Sequence, residues 1–124
     1  MKAIQVQETG GVEKLQYVDL PLPNPGPGQA RVKIRAIGVN FIDTYHRRGW
    51  YKVPLPFTPG MEGAGVVDAV GEGVTLFRPG DRVAWALSMG SYAECATVNT
   101  SLLIRLPEGT DFLAGAAVML QGMT

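Results

Sequence analysis

The sequence predicts a mainly β domain, folded as a partly open antiparallel barrel with two short helices, at about 40–48 and 111–120. Short runs of alternating apolar and polar residues recur, with turn residues between them about every 8–12 positions. Glycine occurs 16 times and proline nine times, which favours short strands joined by tight turns. The length of 124 residues fits one domain, spanning 1–124.

Two strands and a proline-rich connector open the chain. Residues 3–7 and 15–20 read as strands, separated by the turn at Gly10 and Gly11. Segment 21–28 has proline at every second position. Since proline has no amide hydrogen to donate, this segment is expected to be an extended surface loop within the same domain.

The clearest strand covers residues 29–36. Its even positions are apolar and its odd positions polar, which is the period of a strand with one buried face. The basic side chains Arg31, Lys33 and Arg35 are interpreted as the solvated face of a sheet. An anion-binding face is the alternative interpretation.

Alternation breaks at residues 40–48, where the pattern becomes helical. Asn40 is a favourable N-cap, and Asp43 falls in the first turn. Asp43 is spaced to pair with Arg47, and Gly49 ends the helix. The only histidine, His46, is expected to be exposed or to lie at the helix end.

Four further strands are expected, at 64–70, 81–87, 91–98 and 102–106. The segment 111–120 follows as a helix that is apolar on almost all sides. Such a helix is expected to be buried against another surface.

Composition narrows the class of partner. Eleven basic residues balance 11 acidic ones, which argues against nucleic acid and anionic membranes as partners. No apolar run approaches the ~18 residues that span a bilayer. The single cysteine, Cys95, is interpreted as a small buried hydrophobe, and a reducing, cytoplasmic location is expected.

Three blocks in order carry a family resemblance: AIGVNFIDTY at 36–45, PGMEGAGVV at 59–67, and VGEGVT at 70–75 followed by RPGDRV at 78–83. Together they resemble the medium-chain dehydrogenase/reductase superfamily. The amino-acid sequence of the first block is most similar to that of the zinc-free NADPH:quinone oxidoreductases, the zeta-crystallin-like branch of this superfamily. The resemblance covers essentially the whole chain.

The resemblance implies a GroES-like substrate domain, with the Rossmann cofactor domain expected to be absent from this chain. The glycine-rich segments 63–68 and 71–76 lack the third glycine of a Rossmann turn, so neither is expected to cradle a phosphate. NADPH is the implied cofactor and would need the missing domain.

The implied function is the N-terminal domain of an NAD(P)H-dependent quinone oxidoreductase that is inactive alone and homo-oligomeric when full length. A quinone or related enone is the implied substrate. A standalone binding module or pseudoenzyme is one alternative, and an enoyl-thioester reductase is another.

No zinc is expected. In the zinc-dependent relatives a cysteine stands in the place of Asn40 and a histidine in that of Met61, and amide oxygen and thioether are poor replacements. Glu62 is interpreted as an anchor for local backbone or polar contacts, with proton handling as the alternative.

Hydride chemistry without a metal needs positioned hydrogen-bond donors. The resemblance implies that Tyr45 is a catalytic and substrate-binding residue and that Asn40 is both catalytic and cofactor-binding. It extends substrate contact to Tyr51 and cofactor contact to Gln121 and Thr124. The alternatives are purely structural: Tyr45 packed on Phe41, Asn40 acting only as a helix cap, and Tyr51 as a loop aromatic over the core.

Overall fold

The computed structural model describes residues 1–116. Within these residues lie seven strands, the helix α1 and a helical segment at 112–116. The bounds are β1 (Lys2–Val6), β2 (Leu15–Asp19), β3 (Gln29–Ile37), α1 (Phe41–Arg48), β4 (Glu62–Val70), β5 (Arg82–Ala86), β6 (Cys95–Asn99) and β7 (Leu103–Arg105). Single 3-10 turns cover Val12–Lys14 and Thr100–Leu102.

The predicted mainly β fold is confirmed. β1 and β2 form a two-stranded antiparallel sheet, and the other strands form an antiparallel sheet in the order β6-β3-β4-β5-β7. Within residues 1–116 the strands do not close into a barrel, because β6 and β7 remain the two edges of the larger sheet. The small sheet joins the rest through single bridges, Ala3 to Ala93 and Val6 to Phe57.

β3 and β4 form the centre of the larger sheet, where the backbones approach closely. A Cβ added to Gly65 of β4 would overlap the carbonyl oxygen of Lys33. Glycine is therefore required here by the space between strands. The alternation predicted for β3 is observed: Val32 is buried, whereas Lys33 and Arg35 are exposed.

One face of this sheet carries the main core, built around Trp85 and the branched side chains of β3, β4, β5 and β6. A second cluster consists of alanines from β3, β4 and β5 together with Ala116, against which Phe112 packs. Residues 112–116 are helical, as the start of the predicted helix 111–120 requires. The rest of that helix, 117–120, lies outside the described residues.

Within residues 1–116, none of the helices has the length and apolarity needed to cross a bilayer.

Candidate functional site

The site is built on the first turn of α1. Asn40 precedes the helix in an extended conformation, and its backbone amide donates to Oδ2 of Asp43 at 3.0 Å. Gly49 ends the helix in the left-handed conformation with φ of 82°, as predicted. Asn40 is therefore fixed at the point where the chain leaves β3 and enters α1.

Asp43 is buried, and it contacts a residue that the sequence did not indicate. Its Oδ2 accepts a hydrogen bond from the hydroxyl of Tyr92 at 2.6 Å. The expected partner, Arg47, instead directs Nε to the carbonyl oxygen of Gly10 at 3.3 Å. Burial raises the pKa of Tyr92, and its hydrogen bond to Asp43 and the charge of Asp43 raise that pKa further.

Glu62 begins β4 and is 2% exposed. Its Oε1 accepts a hydrogen bond from Nδ2 of Asn40 at 3.0 Å. The carboxylate occupies space beside Gly38 that a Cβ at that position would fill.

Within residues 1–116, no three or more His, Cys, Asp or Glu side chains form a group that could hold a metal ion.

A cleft of about 350 Å³ opens beside the N-terminal end of α1, lined by Val39, Asn40, Phe41 and Thr44. Thr44 lies one helical turn beyond Asn40 and donates its hydroxyl hydrogen to the carbonyl oxygen of Phe41 at 2.6 Å. We did not identify Thr44 as a site residue from the sequence. Its i,i+4 spacing from Asn40 is the signal that places it on the same face.

Tyr45 belongs to an aromatic cluster at the other end of α1. Its ring stacks on Trp50 with centroids 5.2 Å apart and meets the edge of Tyr51 at 5.8 Å. Phe41, the packing partner in the structural alternative, is 83% exposed, and the ring contacts of Tyr45 are with Trp50 and Tyr51 instead. The chain turns back at Gly49, and the amide of Trp50 bonds the carbonyl oxygen of Tyr45 at 3.0 Å, which brings the following aromatics onto the helix.

His46 lies in the last turn of α1, which agrees with the predicted position at the helix end, but its side chain is buried rather than exposed. It is 7% exposed, and its ring lies 6.1 Å from that of Tyr51. Asp43 and His46 are three residues apart and therefore share the inward face of α1. Nδ1 of His46 has no hydrogen-bond partner within residues 1–116.

The predicted site residues thus fall into two groups on one helix. Asn40 lies on the cleft with Glu62 behind it, while Tyr45 and Tyr51 touch each other in the aromatic cluster. Gln121 and Thr124 lie outside the described residues. The glycine-rich segment 63–68 lies within β4, and 71–76 is a turn and loop, so neither has the strand-to-helix geometry that cradles a pyrophosphate.

Comparison with known proteins gives a consistent result. Residues 26–108 match the model of the alcohol dehydrogenase GroES-like domain. A quinone oxidoreductase of Pseudomonas aeruginosa is 51% identical over 125 aligned residues, which cover 99% of this chain and 38% of that protein. The chain therefore spans just over a third of the length of that curated relative.

Solved structures agree in fold. The crystal structure of Escherichia coli quinone oxidoreductase complexed with NADPH superimposes with a TM-score of 0.95 at 38% identity, covering 99% of this chain and 38% of that one. That of a 2-haloacrylate reductase superimposes with a TM-score of 0.89, also at 38% identity, covering 99% of this chain and 37% of that one.

Proposed function

Because the chain belongs to the alcohol dehydrogenase GroES-like domain family, we propose that it forms the N-terminal, substrate-side domain of an NADPH-dependent quinone oxidoreductase. The observation that carries the proposal is the cleft beside α1, whose wall presents the polar side chains of Asn40 and Thr44 next to the apolar Val39 and Phe41. A planar, mostly apolar substrate with a few polar atoms suits such a wall. The similarity to quinone oxidoreductases over 99% of the chain supports the same assignment.

The chain's own residues are proposed to orient the substrate and to stabilise the negative charge that develops on it. From the aromatic cluster beyond the cleft, Tyr45 is proposed to donate a hydrogen bond to the substrate oxygen on which negative charge develops; its ring stacks on Trp50. Asn40 is proposed to contact the cofactor or substrate from the cleft wall, and Tyr51 to cover the substrate ring. NADPH supplies the hydride when it is bound.

Binding of that cofactor is proposed to depend on a further domain. In the part of the chain that the structure describes, the glycine-rich segments form strand and turn rather than a phosphate-binding loop. Gln121 and Thr124 are proposed to contact the cofactor near the junction with that domain. We propose that the reaction is zinc-free, because the positions of two zinc ligands in related enzymes are taken by Asn40 and Met61.

A second candidate substrate class is favoured by one comparison. The similarity to a 2-haloacrylate reductase supports reduction of a carbon–carbon double bond conjugated to a carbonyl or carboxylate, as in an enone or enoyl thioester. The same oxygen-binding donor would serve, because charge again develops on that oxygen.

The complete reading frame that contains this chain provides the test. The purified product is expected to oxidise NADPH with a quinone acceptor, and parallel assays with an enone and an enoyl thioester would rank the substrates. Titration of the 124-residue chain with NADPH tests whether cofactor binding depends on a further domain. A folded chain that is encoded without a further domain, binds no NADPH and reduces none of these acceptors would instead be a binding module or pseudoenzyme.

The cellular location and the oligomeric state of the whole protein are also proposed. A cytoplasmic homo-oligomer is proposed, and the single cysteine is compatible with a reducing compartment. Fractionation of the source cells and light scattering of the purified full-length protein would check both points.

A further inference from the structure

Asn40 carries two proposed contacts, yet an asparagine amide that no neighbour orients can rotate by half a turn and exchange its donor and acceptor ends. A defined function requires one orientation. The oxygen and nitrogen ends differ only in their hydrogen bonding, so the neighbours of Asn40 decide which end faces which way.

Glu62 is the neighbour that discriminates. Its Oε1 lies 3.0 Å from Nδ2 of Asn40. A carboxylate oxygen accepts hydrogen bonds, so Oε1 attracts the amide N–H groups and repels the amide oxygen. A half-turn of the Asn40 amide would place two acceptors against each other inside the protein, which is costly where water is excluded.

Glu62 is itself held in place. It is 2% exposed and starts β4, and its carboxylate fits against Gly38 in space that no other residue type would leave. The backbone amide of Gly38 also donates to the carbonyl oxygen of Glu62 at 3.3 Å. A buried carboxylate packed against the backbone of Gly38 is a rigid reference point for the amide beside it.

We propose that Glu62 is a positioning residue that orients the Asn40 amide in the cleft. Its role is electrostatic and geometric: the carboxylate touches Asn40 and sets which atoms of that amide remain available to a ligand. The activity readout rests on the proposed reductase function, whereas the orientation itself is a property of the 124-residue chain.

The first experiment measures exchange of the Asn40 side-chain amide hydrogens by NMR in the 124-residue chain. Resonances are assigned by their loss in Asn40→Ala. In the wild type we expect these hydrogens to exchange at least about tenfold more slowly than those of the exposed Asn24, because one is bonded to a buried carboxylate. Equal exchange rates at Asn40 and Asn24 would overturn the proposal without any variant of Glu62.

The second experiment uses Glu62→Gln, which keeps the size of the side chain but can face Asn40 with either a donor or an acceptor. Glu72→Gln in an exposed turn is the matched control. In the complete reductase, Glu62→Gln is expected to reduce kcat about tenfold when Asn40 is present and to have no further effect in Asn40→Ala, as expected for residues in contact. Melting curves confirm that the variants remain folded.

Independent, multiplying effects of the two substitutions would overturn the positioning role. A complete protein without reductase activity would instead refute the proposed function, and the exchange measurement on the shorter chain would still decide the role of Glu62. The two failures are therefore distinguishable.

Discussion

The hydroxyl of Tyr92 donates a hydrogen bond to Oδ2 of Asp43 at 2.6 Å and so joins the loop before β6 to the first turn of α1. The same carboxylate oxygen caps the backbone amide of Asn40 at 3.0 Å. One buried acidic side chain thereby determines where the cleft-forming helix begins.

Removal of this bond is predicted to destabilise the domain. Tyr92→Phe deletes the hydroxyl and leaves a buried carboxylate with one donor fewer, which should lower the free energy of unfolding by about 1–3 kcal/mol. Urea denaturation at neutral pH measures the change. Tyr17→Phe is the control, because Tyr17 is 70% exposed; an equal loss in both variants would contradict the prediction.

Alkaline pH should weaken the same contact. The pKa of Tyr92 is raised by burial and by Asp43, so the folded protein holds this proton more tightly than the unfolded chain does. Its contribution is therefore fully present below the unfolded pKa of about 10 and is lost as pH rises above that value. The alkaline fall in stability should be smaller in Tyr92→Phe, and identical pH profiles for the two proteins would count against the assignment.

Asn40→Asp should destabilise the domain at neutral pH. The new carboxylate would lie beside that of Glu62, so the hydrogen bond from Nδ2 of Asn40 is lost and two acceptors face each other. We expect the free energy of unfolding to fall by about 1–3 kcal/mol. Urea denaturation at neutral pH tests this, with the exposed Asn24→Asp as control. An equal loss in Asn40→Asp and Asn24→Asp would refute the prediction.

Gly65→Ala is predicted to disrupt the sheet. The added Cβ would overlap the carbonyl oxygen of Lys33 in the paired strand, so β3 and β4 would have to separate. We expect a loss of at least about 2 kcal/mol in the free energy of unfolding. Gly26→Ala, whose Cβ would meet only the Gln29 side chain at 3.3 Å, should be much milder, and similar stabilities for the two variants would show that the strands tolerate the methyl group.

Tyr45→Phe separates the chemical role of Tyr45 from its packing role, because the ring that stacks on Trp50 is retained. In the complete reductase we expect kcat to fall about tenfold or more with little change in the KM for NADPH, since the lost donor acts on developing charge. Steady-state kinetics beside the exposed control Tyr17→Phe measure this. Unchanged kcat would leave Tyr45 as a packing residue only.

The 124-residue chain alone should show negligible NADPH:quinone activity.

Local patterns in the sequence predicted much of this molecule. Period-two alternation located β3 because one face of that strand packs on the core and the other meets solvent. Asn40 and Gly49 predicted the limits of α1 because capping and left-handed residues act through bonds to near neighbours. The spacing of three motif blocks indicated the family, which the match over residues 26–108 confirms.

Contacts between distant segments required the tertiary structure. Tyr92 lies 49 residues from Asp43, and Glu62 lies 22 residues from Asn40, so no local period connects them. The burial of His46 and the stacking of Tyr45 on Trp50 likewise depend on how the chain folds back after Gly49. The sequence by itself located most of the strands, the limits of α1 and the family, because these depend on neighbouring residues, although β6 begins at Cys95 rather than at the predicted residue 91. Only the tertiary structure decided which side chains hold Asn40 in the cleft, because their partners come from strands and loops that meet only in the folded chain.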